Sequence, residues 1–171
     1  MKELLSDEKF GFVSEKDKDF IIAFNDAITG AGYENNGIQP YVVFGKYKIE
    51  YSKAGLKSKK YVARIYIRDD GIVLRLYFTD IDKHREYLEN APDFIKIPFI
   101  NERGKCGQCE KDGGGIGKKG KCSFKKTYTI NSILYEKCAG DNFYFDNPDV
   151  HSIAQYIELL TEFYPDRKRG K

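Results

Sequence analysis

Apolar positions recur with two different periods along this chain, and the change of period marks its elements. Phe20, Ile21, Phe24, Ala27 and Ile28 stand at helical spacing and predict a helix beginning after Lys16. Gly30 and Gly32 sit where such a helix ends. Pro40 is expected to open an extended run over residues 41–51, and the basic stretch 52–60 reads as a loop. Residues 61–68 and 72–79 alternate with period two, and Asp69-Asp70-Gly71 between them is a hairpin signal. Ile65, Ile67, Leu74, Leu76 and Phe78 then form a core face, while Arg64, Tyr66, Arg68, Arg75 and Tyr77 share the opposite one.

A helix is expected over residues 82–90, capped by Asp80 or Asp82, followed by an irregular piece bounded by Pro92 and Pro98. Residues 124–130 and 133–137 read as a second hairpin around Asn131-Ser132, and 141–145 as a short strand. Pro148 suits the start of a last helix with Val150, Ile153, Ala154, Ile157 and Leu160 on one stripe, stopped by Pro165. This order predicts an α+β class, with an antiparallel sheet of about five or six strands and about three helices. Tyr77-Phe78 with Asp82 and His84 is echoed by Tyr144-Phe145 with Asp149 and His151, at an offset of 67. The echo raises two pseudo-repeated halves as one reading and chance recurrence as the other.

Length and composition narrow the class. The 171 residues suit one domain, with residues 1–16 as a loosely ordered start and 165–171 as a basic tail. Hydrophobic residues are 41% and aromatics 15%, which excludes a disordered chain. No apolar run is long enough to span a membrane, and MKELLSDEKFGF carries no signal core, so a cytoplasmic location is expected. The 29 basic residues exceed the 26 acidic ones by only three, a slighter tilt than dedicated nucleic-acid domains show.

Residues 101–122 break the pattern, being rich in cysteine, glycine and lysine with no apolar face. Cys106 and Cys109 form a C-x-x-C pair; Cys122 follows after twelve residues and Cys138 after fifteen more. A C-x-x-C turn supplies half of a tetrahedral thiolate site, and nearby lysines lower thiol pKa. These four cysteines are the candidate ligands of a structural zinc; a two- or three-cysteine site completed by His151 or water, free structural thiols, and a redox or disulfide role are the competing readings. The loop 113–118 fails the phosphate-loop pattern, because Lys118 is followed by Lys119 where Ser or Thr is required. His84 and His151 each fall in the first turn of an expected helix, with no Ser or Cys at catalytic spacing.

The remaining candidate is the face bearing Arg64, Tyr66, Arg68, Arg75 and Tyr77, extended by Tyr144. Arginine offers planar paired donors and tyrosine a stacking surface with a polar tip. The bland alternative is a solvated sheet face covered by cross-strand pairs. A non-catalytic binding or regulatory module for a small ligand or anion is the leading expectation. A nucleic-acid-associated protein using that face and the lysine-rich loop is second, and an enzyme third, since no catalytic constellation is legible.

Overall fold

The structure, a computed structural model, describes residues 1–53, 60–101, 125–138 and 141–165. Its class is α+β, as expected, with five helices, a five-stranded antiparallel sheet and a two-stranded sheet among the described residues. The chain forms two compact units, Met1–Tyr77 with Tyr144–Lys171, and Phe78–Phe143.

Unit one opens with α1 (Lys2–Leu5) and a 3-10 turn (Glu8–Phe10). Leu5 and Phe10 in these turns are buried, and so is Val13 after them, so residues 1–16 contribute to a core. Ser14 then caps α2 (Glu15–Gly30), its hydroxyl accepting from the Asp17 N–H at 3.2 Å. The buried positions of α2 are Phe20, Ile21, Phe24 and Ile28, the stripe that the spacing predicts.

The sheet runs β1 (Tyr33–Pro40), β2 (Tyr47–Lys53), β3 (Tyr61–Arg68), β4 (Gly71–Tyr77) and β7 (Asn142–Asp146) in that spatial order. The expected extended run over 41–51 is corrected: residues 41–46 form a loop, and the polar segment before Pro40 is the strand. Sheet hydrogen bonding to β2 overrides the poor strand composition of β1, whose positive-φ Gly37 sits at a register shift. The β3–β4 hairpin forms as predicted, with Arg68 opposite Gly71 at φ +125°. That φ is strained for any residue with a Cβ, which favours glycine there, and a Cβ would also push aside the Asn147 side-chain tip 2.4 Å away.

Register places Ile49, Ile65 and Leu74 on one line across three strands, and Tyr51, Ala63 and Leu76 on the next. All six are buried under α2 and the last helix, α5 (Ile153–Phe163). Phe24 meets Tyr51 edge-on at 5.6 Å, and Tyr156 meets Phe20 at 6.3 Å and Phe145 at 5.0 Å. The apolar stripe expected on α5 is corrected too. Ile153, Tyr156, Leu159, Leu160 and Phe163 are buried, whereas Ala154 is exposed, because a 3-10 turn (Val150–Ser152) precedes the helix and resets its phase.

Unit two contains a 3-10 turn (Ile81–His84), α3 (Arg85–Asn90), α4 (Asp93–Ile100), and the hairpin β5 (Lys126–Ile130) to β6 (Ile133–Lys137). The hairpin turn Asn131-Ser132 has positive φ at both residues, the geometry that suits strand twist. The segment 92–98 is not irregular: it lies in α4, which Pro92 caps and which contains Pro98. Burial of Ile95, Pro98 and Phe99 outweighs the one backbone bond that Pro98 forfeits. Phe99 stacks on Phe143 at 4.1 Å and on Phe78 at 5.9 Å, and its carbonyl accepts from the Tyr128 hydroxyl. Asp82 Oδ1 and Glu89 Oε1 accept from the Thr129 and Asn131 N–H groups at 2.9 and 2.7 Å, tying the hairpin to the helices.

Asp80 and Asn147 both take positive φ, at 57° and 44°, and a 3-10 turn follows each. Asp and Asn tolerate that conformation better than other side chains.

Candidate anion site on the arginine–tyrosine face

Strand alternation carries Arg64, Tyr66, Arg75 and Tyr77 to the sheet face opposite the helices, and Tyr144 joins them from β7. Arg64 lies directly across from Arg75. Their guanidiniums are interleaved with rings: Arg64 with Tyr61 and Tyr77 at 4.9 and 5.3 Å, Arg75 with Tyr77 and Tyr144 at 4.8 and 5.0 Å. Phe44 stacks along Tyr144 at 5.9 Å. The result is a ladder in which rings and cations alternate across three strands. Like charges directly opposite on a sheet cost up to about 1 kcal/mol. Each cation–π contact returns roughly 0.5–2 kcal/mol, so four of them dominate.

Arg68, expected in the same site, is held away. Its Nε donates to Asp70 Oδ1 at 2.8 Å within the turn, and Asp70 occupies its fork. Conversely, the structure adds residues that sequence alternation did not single out. Lys48 and Glu50 arrive from β2, where Lys48 faces Tyr66 and Glu50 faces Arg64. Tyr61 arrives through a register shift: Ser52 pairs with Tyr61 instead of Val62.

The charges do not balance. Glu50, 4% exposed at the side chain, lies 3.0 Å from Lys48 Nζ and 2.6 Å from Arg64 Nε. That approach to Arg64 lacks the alignment of a hydrogen bond. Arg75 Nη1 donates to the neutral Tyr66 hydroxyl oxygen at 2.9 Å. Among the described residues, Lys48, Arg64 and Arg75 thus face one carboxylate. Among the described residues, the buried Arg75 Nε has no hydrogen-bond partner, whereas the Tyr77 hydroxyl lies beside that of Tyr66. Buried donors without acceptors are uncommon, and each costs about 1–3 kcal/mol.

The same field acts on the phenols. Burial pushes the Tyr66 hydroxyl up, but the Tyr77 hydroxyl and the guanidiniums of Arg75 and Arg64 outweigh it, leaving Tyr66 below the ordinary tyrosine range. Burial, opposed by Arg75, holds Tyr77 well above that range, and burial with nearby Asp149 pushes Tyr156 up to about 12. In a native alkaline titration followed at 295 nm, one phenol is expected to ionise ahead of the others, and Tyr66→Phe should delete that step. The stabilisation linked to Tyr66 is present above about pH 10 and lost as pH falls through its lower folded value. The raised tyrosines act oppositely, so stability should fall beyond about pH 10 despite Tyr66. An early step that persists in Tyr66→Phe would assign it to another ring.

The loop 41–46 roofs the face. Tyr41 and Phe44 pack on Tyr66 at 5.6 and 5.1 Å, which explains why Tyr66 is fully buried. Gly45 makes this possible, since a Cβ there would stand 2.7 Å from the Ile67 carbonyl oxygen. Lys46 N–H donates to that same oxygen at 2.8 Å.

Other chemistry is less developed. Cys106, Cys109 and Cys122 lie outside the described residues, and Cys138 is half-buried at the end of β6. No cluster of three or more metal-ligating side chains occurs among the described residues. A hollow in unit two is lined by Asp80, Asp82, Lys83, Lys126 and Asp141. Its Asp80 pairs with Lys83 at 3.2 Å and its Asp82 with Arg85 at 3.0 Å, so those carboxylates are engaged. Among the described residues no helix is long and apolar enough to cross a membrane. Protein-family models, curated proteins and solved structures yield no match to the chain.

Proposed function

We propose that this chain is a non-catalytic binding module that holds a small anion on its arginine–tyrosine face. One observation carries the reading: among the described residues, the excess of cations over carboxylates coincides with the buried, unpartnered Arg75 Nε. Arg75 Nε is a donor only, and its missing complement is therefore an acceptor. Arginine edges suit a carboxylate or phosphate, because their paired N–H groups match its oxygens. The ladder rings hold the guanidiniums in place before the ligand arrives, which lowers the ordering cost of binding.

Calorimetric titration with inorganic phosphate tests this. Saturable binding is expected, and Arg75→Met should weaken it about tenfold or more, the loss of one charge-assisted contact. Binding that Arg75→Met leaves unchanged would sink the reading. The nucleic-acid alternative predicts instead a steep fall of affinity with salt. Of the lysine-rich stretch, Lys125 and Lys126 are described, and Lys125 pairs with Glu136 at 2.6 Å.

A structural zinc on Cys106, Cys109, Cys122 and Cys138 belongs to the same proposal, on the strength of their spacing. Protein purified without added metal is expected to hold one zinc per chain by elemental analysis. Its thiols should become reactive only after chelation. Four thiols that react freely in metal-free protein would remove the zinc.

A further inference from the structure

Resting on that reading, we infer that the ligand is an aryl anion, a carboxylate or phosphate joined to an aromatic ring, and that its ring takes the position Phe44 holds against Tyr144. The flat surfaces of both guanidiniums are flanked by tyrosines, so a ligand meets arginine edges and not arginine faces. An anion seated on Arg75 Nε lies beside Tyr144, because the Arg75 guanidinium carbon is only 5.0 Å from that ring's centre. Tyr144 meets both the Arg75 guanidinium and the Phe44 ring, at 5.0 and 5.9 Å, so a ring joined to the anion stacks on Tyr144 in place of Phe44.

Phe44 is the member of the ladder able to give way. Tyr61, Tyr77 and Tyr144 stand on strands, while Phe44 stands on the loop 41–46 and is 38% exposed. Its neighbours Val42 and Val43 are 90% and 76% exposed, so they do little to hold the loop down. The loop ends are fixed by the Tyr41 N–H donating to the Lys46 carbonyl at 2.9 Å and the Lys46 N–H to Ile67. Phe44 can swing out between these two bonds without unpairing the sheet. The ligand ring then replaces Phe44 against both Tyr144 and Tyr66, on which Phe44 packs at 5.9 and 5.1 Å, and an alkyl group does not, which adds preference for a ring.

Phenyl phosphate and methyl phosphate carry the same anion and separate the two contributions. The native chain is expected to bind phenyl phosphate about fivefold or more tightly than methyl phosphate. Phe44→Ala should keep or enlarge that ratio, since the competing ring is gone. The chain has no tryptophan, so Phe44→Trp places a unique reporter on the loop. Its emission is expected to shift to the red with phenyl phosphate and to stay fixed with methyl phosphate. Equal affinities for the two phosphates with an unmoved emission would overturn the ring exchange while leaving the anion site intact. Failure of both phosphates to bind would overturn the anion site as well.

Discussion

Glu50→Gln is expected to destabilise the protein by about 3 kcal/mol, the lower end of the cost of breaking a buried ion pair from one side. The variant keeps the shape of the side chain and removes the one carboxylate that Lys48 and Arg64 share. Those two partners are 15% and 21% exposed at the side chain, so water screens the exposed remainder only in part. Among the described residues, three cations would then face each other across adjacent strands without a carboxylate between them. Urea denaturation with an unchanged m-value reads the loss directly. Added phosphate should recover more stability in Glu50→Gln than in the native chain, because the ion supplies the missing charge and binds the folded state alone. If the variant does not fold, Lys48→Met with Glu50→Gln removes one cation together with the acid and should regain part of the loss. A change below about 0.5 kcal/mol would mean the cluster is solvated like an ordinary surface pair.

The second large effect lies in unit two. Phe99→Ala should cost about 3–5 kcal/mol, as expected for deleting a buried ring that cannot be replaced by collapse. Phe99 is fully buried, and its stacking partners Phe143 and Phe78 surround it at 4.1 and 5.9 Å. The hairpin β5–β6 has two strands, too few for independent stability in water. Amide exchange in β5 should therefore accelerate strongly in Phe99→Ala, and clearly less in Phe99→Leu, which keeps more of the volume. Equal protection in all three chains would show that the hairpin does not depend on this aromatic cluster.

The two positions illustrate different degrees of legibility. Phe99 follows Pro98, and a proline within a short apolar piece argues against a helix. Local rules therefore pointed away from α4, and only the burial of Ile95, Pro98 and Phe99 decides for it. Glu50 sits in a strand whose alternation of Lys48, Ile49, Glu50 and Tyr51 is visible, but its partner is not. Pairing with Arg64 depends on the β2–β3 register, which is a long-range property.

What the sequence determined by itself was whatever depends on neighbours along the chain. Period-two alternation put Arg64, Tyr66, Arg75 and Tyr77 on one face, Asp69-Asp70-Gly71 made the hairpin, and helical spacing marked the buried stripe of α2. The tertiary structure decided which charges meet. It moved Arg68 onto Asp70, brought Lys48 and Glu50 beside Arg64, and laid Phe44 along Tyr144. It also turned Tyr61 to the arginine face through a register shift that period-two counting cannot contain. The reason is physical: side-chain direction follows from local backbone geometry, whereas ion pairing and ring stacking act across strands whose register is set by the sum of the packing.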